Sequence, residues 1–72
     1  MITVAYDFGP TVRVIDLDAN GAWIAETETV VKVGVGGRTA ALFDAGYRLL
    51  GEWTKCGEAA SVEVLRPGQS GA

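Results

Sequence analysis

Histidine is absent from this chain, and cysteine occurs once, at Cys56. Ser/His/Asp and Cys/His catalysis therefore have no residues to run on. A structural zinc site takes four Cys or His ligands, more than the chain holds. A lone cysteine forms no intrachain disulfide. No apolar run approaches the ~20 residues that span a bilayer. Basic residues are few: six Lys and Arg stand against nine Asp and Glu, for a net charge of −3. Arg13, Lys32, Arg38, Arg48, Lys55 and Arg66 are scattered along the chain. That spread argues against nucleic acid as a ligand, and the negative balance argues against anionic membranes. Nine acids among six bases are also too dilute to mimic nucleic acid. The stretch Met1-Ile2-Thr3-Val4 lacks the basic region and long apolar core of a secretion signal. With a single thiol suited to a reducing compartment, the expected location is cytoplasmic.

What is present is ordinary globular material, 49% hydrophobic and 21% charged. Seventy-two residues make one domain. A chain this short hides only about 60% of the surface its unfolded form exposes. With neither disulfide nor metal to staple it, either the small core suffices or association with another chain helps. The expected organisation is one α+β domain over residues 1–66 and a disordered tail over 67–72.

The rhythm of apolar residues changes at Gly34-Val35-Gly36-Gly37. Upstream, Ile2, Val4, Tyr6 and Phe8 alternate with Thr3, Ala5 and Asp7, the period of a half-buried strand. Gly9-Pro10 then breaks the chain. Residues 11–17 form a second strand with imperfect alternation, since Val12 and Val14 share one parity while Ile15 and Leu17 share the other. Either the strand is covered on both faces, or a bulge near Val14-Ile15 shifts its phase. The bulge is preferred, because so small a domain has little material for two covers. Asp18-Ala19-Asn20-Gly21 is a turn, and Asn-Gly suits a tight type I′ hairpin. Asp18 is expected to make a turn hydrogen bond. Residues 22–35 return against the second strand. Trp23, Ala25, Thr27, Thr29, Val31, Val33 and Val35 would face the core, with a bend near residues 26–29.

Downstream the spacing becomes three and four. Leu42, Ala45, Gly46, Leu49, Trp53 and Cys56 form a stripe, and Asp44, Arg48, Glu52 and Lys55 lie opposite. The spacing predicts one helix over residues 38–56 with a buried flank, Asp44–Arg48 and Arg48–Glu52 pairs on its outer side, and Gly57 as its stop. Thr39 is the candidate cap, and Gly46 marks a close backbone approach. Residues 60–65 alternate as a last strand. The expected fold is a small antiparallel sheet of three to four strands with one helix on one face, in the order β-β-β-α-β.

Few residues carry chemistry. The Gly-rich segment before the helix sits where anions bind, which makes Gly36, Gly37 and Arg38 candidate anion-binding residues. It matches neither the dinucleotide fingerprint nor the P-loop, and its plain reading is a strand-to-helix connection. Glu26 and Glu28 share a strand face roughly 7 Å apart, but a sugar site needs a cleft that this chain has no room for. Cys56 reads as a small buried hydrophobe. Trp23 and Trp53 read mainly as core. At a sheet edge, Trp23 becomes the first choice for a partner contact, with Ile24 and Arg38 as companions. No catalytic, cofactor-binding or metal-ligating residue is assigned, and no cofactor is expected. No local signature selects a family. The leading expectation is a small non-enzymatic protein–protein interaction module. It would bind a partner protein or itself, with an accessory role in a phage or mobile element as one setting. The alternative is a nucleic-acid-associated accessory subunit that works as an oligomer.

Overall fold

The computed structural model describes residues 2–68. Its elements are β1 (Ile2–Asp7), β2 (Thr11–Leu17), β3 (Trp23–Lys32), α1 (Gly37–Asp44), β4 (Arg48–Leu49), β5 (Thr54–Cys56) and β6 (Ala59–Leu65). All six strands join one antiparallel sheet, in the order β3-β2-β1-β6, with β4 and β5 both paired to the outer side of β6. An antiparallel sheet with one helix agrees with the expected class. The element order does not: it is β-β-β-α-β-β-β, with six strands rather than three or four.

The extra strands come from the segment assigned to a long helix. That helix ends at Asp44. Gly46 follows at φ +94°, a left-handed conformation that side-chain-bearing residues resist. The Gly46 N–H donates to the Phe43 carbonyl and the Tyr47 N–H to the Leu42 carbonyl, which is the Schellman pattern of helix closure. Tyr47 and Leu42 are both buried there in one cluster. The chain then leaves the helix axis, and residues 48–56 return as two short strands. Leu49 and Trp53 still pack against the core, but from strand and loop positions. The Asp44–Arg48 and Arg48–Glu52 helix pairs consequently do not form. Gly57 lies in the turn joining β5 and β6 rather than closing a helix. Gly46 also meets a neighbour closely, since a Cβ there would stand 3.0 Å from Cγ of Pro67.

Burial divides β2 between two faces. Val12 and Val14 are fully covered and Ile15 is only 2% exposed, although Ile15 points the opposite way. Pairing of β1 with β2 runs unbroken from Ile2↔Leu17 to Asp7↔Val12, so β2 itself carries no bulge. Val14 and Ile15 are buried on opposite faces, as the covered-strand reading expects, and a register shift also stands between Val14 and Asp16, at the place expected for the bulge, with its extra residues on β3. The face beneath α1 gathers Ala5, Val12, Val14, Val62 and Val64 against Leu42 and Tyr47. On β1 the parity facing this main core is therefore Thr3-Ala5, not Ile2-Val4-Tyr6-Phe8.

The irregularity belongs to β3. Val14 faces Thr29 but Asp16 faces Ile24, so Ile15 alone stands against residues 25–28. This is the bend expected near residues 26–29. It breaks the single parity expected for the strand. Val31 and Val33 pack on the core, whereas Trp23 lies on the other face and Val35 is fully exposed in the connection to α1. The bulge is held by side chains. The Asp16 N–H donates to Thr27 Oγ1 at 2.8 Å, and that hydroxyl donates to the Ile24 carbonyl at 2.7 Å. Arg66 donates from Nε to Asp16 at 3.0 Å and from its guanidinium to the Thr27 carbonyl at 2.6 Å.

The β2–β3 hairpin turns at Asp18 as expected, with the Asp18 carboxylate accepting from the Asn20 and Ala22 amides. Only Gly21 adopts positive φ, at +81°. The connection is thus the three-residue form with a left-handed glycine, not a type I′ turn. Of the expected tail, residues 69–72 lie outside the described residues, and Pro67 is the neighbour of Gly46 noted above.

Replacing Gly46 by alanine forces a strained φ, costing about 1–2 kcal/mol, and adds the contact with Pro67. Gly51 has open space around its Cβ position, so Gly51→Ala should stay within about 0.5 kcal/mol of the parent. Urea unfolding of both variants measures the contrast.

Candidate interaction surface

Three surface regions contain the residues singled out from the sequence. The first is the corner where α1 begins. Its N-cap is Gly36, with no side-chain cap. Thr39 instead accepts a hydrogen bond from Trp53 Nε1 at 3.0 Å. Arg38 reaches out of the first turn to Asp7 at the end of β1, 2.6 Å away. Its guanidinium also lies 4.3 Å from the centre of the Trp53 ring, a cation–π contact worth about 0.5–1 kcal/mol at such a site. The Gly9 amide donates to the other Asp7 oxygen at 2.8 Å. Those two bonds, the Gly9 amide foremost and the Arg38 guanidinium next, hold the Asp7 carboxyl below its ordinary 3.8 despite partial burial. Asp7, Arg38, Trp53, Lys55 and Glu58 line a groove of about 330 Å³ here. Arg38 thus enters it already matched to a carboxylate. Gly36 and Gly37 border a separate hollow with Lys32, Ala40 and Asp44, where the backbone turns from strand to helix.

The second region is the sheet face away from α1, here called the open face. Opposed residues of antiparallel strands share a face. Register therefore sets Ile2, Leu17 and Trp23 in one row across three strands, and Tyr6, Arg13 and Val30 in another. Trp23 stacks on Tyr6 with ring centres 5.0 Å apart, and both share this face with the buried Val4 and Ile15. Arg13 lies 5.4 Å over the Phe8 ring and pairs with Glu28 at 3.0 Å. Ile2, Phe8, Trp23 and Val30 are each between 45% and 53% exposed, so a band of apolar surface meets solvent.

The third region is the outer edge of β3, which has no neighbouring strand among the described residues. The Val33 N–H donates to the Pro10 carbonyl across the β2–β3 pair. Alternation then directs the backbone groups of Val31 toward β2 and those of Val30 and Lys32 outward. The opposite edge of the sheet is blunted by β4 and β5, which are two and three residues long.

The residues named from sequence are thus distributed rather than gathered. Trp23 and Ile24 begin β3, with Trp23 on the open face. Arg38 lies on the helix side, bound to Asp7. The remainder of the apolar band was not singled out, though Ile2 and Phe8 share the parity of Tyr6, and that alternation was the available signal. The Asp7–Arg38 pair spans 31 residues and leaves no local trace. Cys56 stands in β5 rather than at a helix end. Comparison with family models, curated proteins and solved structures found no match.

Asp7 releases its proton more readily folded than unfolded, so its contribution is complete above the unfolded pKa and fades as pH falls through the lower, folded value. Asp7→Asn should lower stability at neutral pH by about 0.5–1 kcal/mol. The gap to wild type should close below pH 3.8, the ordinary value. Thermal unfolding of both proteins across that range measures it; a gap that persists unchanged in acid contradicts the assignment.

Proposed function

We propose that the chain is a small protein–protein interaction module whose working surface is the open face together with the free β3 edge. The observation that carries this reading is the band of Ile2, Phe8, Trp23 and Val30, half-exposed on one face and bordered by the outer edge of β3, which meets no other strand among the described residues. Apolar surface collected beside polar groups is the composition of docking sites, and Trp23 is the residue type that dominates binding energy when covered. A phage or mobile-element accessory role remains the setting proposed for such a module. The nucleic-acid-associated oligomer has less to stand on, because Arg13, Arg38 and Arg66 are each held by a carboxylate of the same chain.

The test is affinity capture from extracts of the source cell with three baits: wild type, Trp23→Ser, and Phe43→Ser as a control on the exposed helix. A protein retained by wild type and Phe43→Ser, but lost at least tenfold by Trp23→Ser, is the expected result. Equal recovery on all three baits removes the open face from the proposal. Circular dichroism of the variants confirms that each is folded.

A further inference from the structure

We infer that a second copy of this chain docks edge to edge along β3, about a two-fold axis at Val30, so that Glu28 of each copy faces Lys32 of the other. This deepens the interaction-module reading by naming a partner. An edge strand offers a row of unsatisfied N–H and C=O groups, and another strand satisfies them best. On β3 the outward groups are those of Val30 and Lys32, fixed by the Val33–Pro10 hydrogen bond. An antiparallel two-fold that pairs outward residues with outward residues sets Val30 against Val30. The same register sets residue 28 against residue 32, twice by symmetry.

The charges fit that register. Lys32 projects from the open face, since it opposes Thr11 while Val30 opposes Arg13. Glu28 reaches the same face, where it meets Arg13. Lys32 makes no ion pair among the described residues. A lysine on an edge strand ordinarily repels a like strand, and the bulge over residues 25–28 shields the first half of β3. The register about Val30 centres on the regular residues 29–32, reaches only the last residue of the bulge, Glu28, and turns each lysine onto a carboxylate. It also covers Val30, 53% exposed in the monomer, with its own counterpart. The contact is short, so the dimer is weak and dissociates on dilution.

Sedimentation velocity from micromolar to millimolar concentration tests this with four proteins: wild type, Val30→Pro, Glu28→Lys and Lys32→Glu. Wild type should pass from monomer to dimer. Val30→Pro removes an amide that points away from β2, so it should fold yet stay monomeric. Each charge reversal places like charges opposite one another twice and should weaken the dimer roughly fivefold to thirtyfold. An equimolar mixture of Glu28→Lys and Lys32→Glu restores both opposite-charge pairs and should recover the dimer as a heterodimer. A wild type that stays monomeric at millimolar concentration overturns the inference, as does a mixture no stronger than its components. If Val30→Pro does not fold, the charge variants, altered only at exposed positions, decide alone. A monomeric wild type that still captures a cellular protein through Trp23 defeats self-pairing while leaving the interaction module intact. A charge-dependent dimer with no Trp23-dependent capture does the reverse.

Discussion

Asp16 holds three distant parts of the chain at one point. Its amide fixes Thr27 inside the β3 bulge, and its carboxylate accepts from Thr3 at 2.7 Å and from Arg66 at 3.0 Å. Arg66 in turn holds the Thr27 carbonyl. Residues 25–28 face only Ile15 on β2, and such a mismatch leaves backbone groups needing partners. Charge-assisted bonds in a partly covered site supply them. Because the bulge is fixed, Trp23 lies on the open face while Val31 and Val33 lie on the core. The open apolar band, the regular free end of β3 and the two-sided burial of β2 all follow from that offset.

A domain with one cysteine and, among its described residues, no cluster of metal-ligating side chains must extract cohesion from little material. This one does so by covering its second strand twice. One cover is α1 with Tyr47, packed through branched and aromatic side chains at near-zero exposure. The other is the Tyr6–Trp23 pair on the side of Val4 and Ile15. The second cover is thin, and its aromatic edge remains wet. Stability and surface reactivity are therefore properties of the same residues: the tryptophan that shelters one face of the strand is also the largest apolar group presented to solvent there.

Much of the first half of the fold is legible from sequence, because local chemistry decides it. The turn at Asp18, the bend in β3, the strand-to-helix connection and the closing strand β6 rest on glycine, asparagine and alternation. Burial of β2 on both faces and a bulge near Val14-Ile15 were the two open readings; both faces are covered, and the register shift beside Ile15 has its extra residues on β3. The long helix failed for a specific reason. Leu42, Ala45, Leu49, Trp53 and Cys56 fall at helical spacing by coincidence, since strands of two and three residues are too short to display alternation. Gly46 was the counter-signal. A glycine in a stripe reads equally as a packing contact or as a left-handed terminus, and it is both. On β1 both parities are buried at the centre, Val4 on one face and Thr3 and Ala5 on the other, which the alternation of large side chains alone does not reveal. At the surface, Trp23 was identifiable by type, whereas the Asp7 partner of Arg38 depends on tertiary contacts that no window of sequence contains.

The far margin of the sheet, split between β4 and β5, has a consequence for stoichiometry. Sheets lengthen into fibrils when both margins can accept a neighbour, each addition exposing a fresh template. Here one side offers a ten-residue strand and the other only fragments of two and three. Strand addition at β3 would therefore meet no second long margin from which to continue, because the segment after the helix is broken into short pieces.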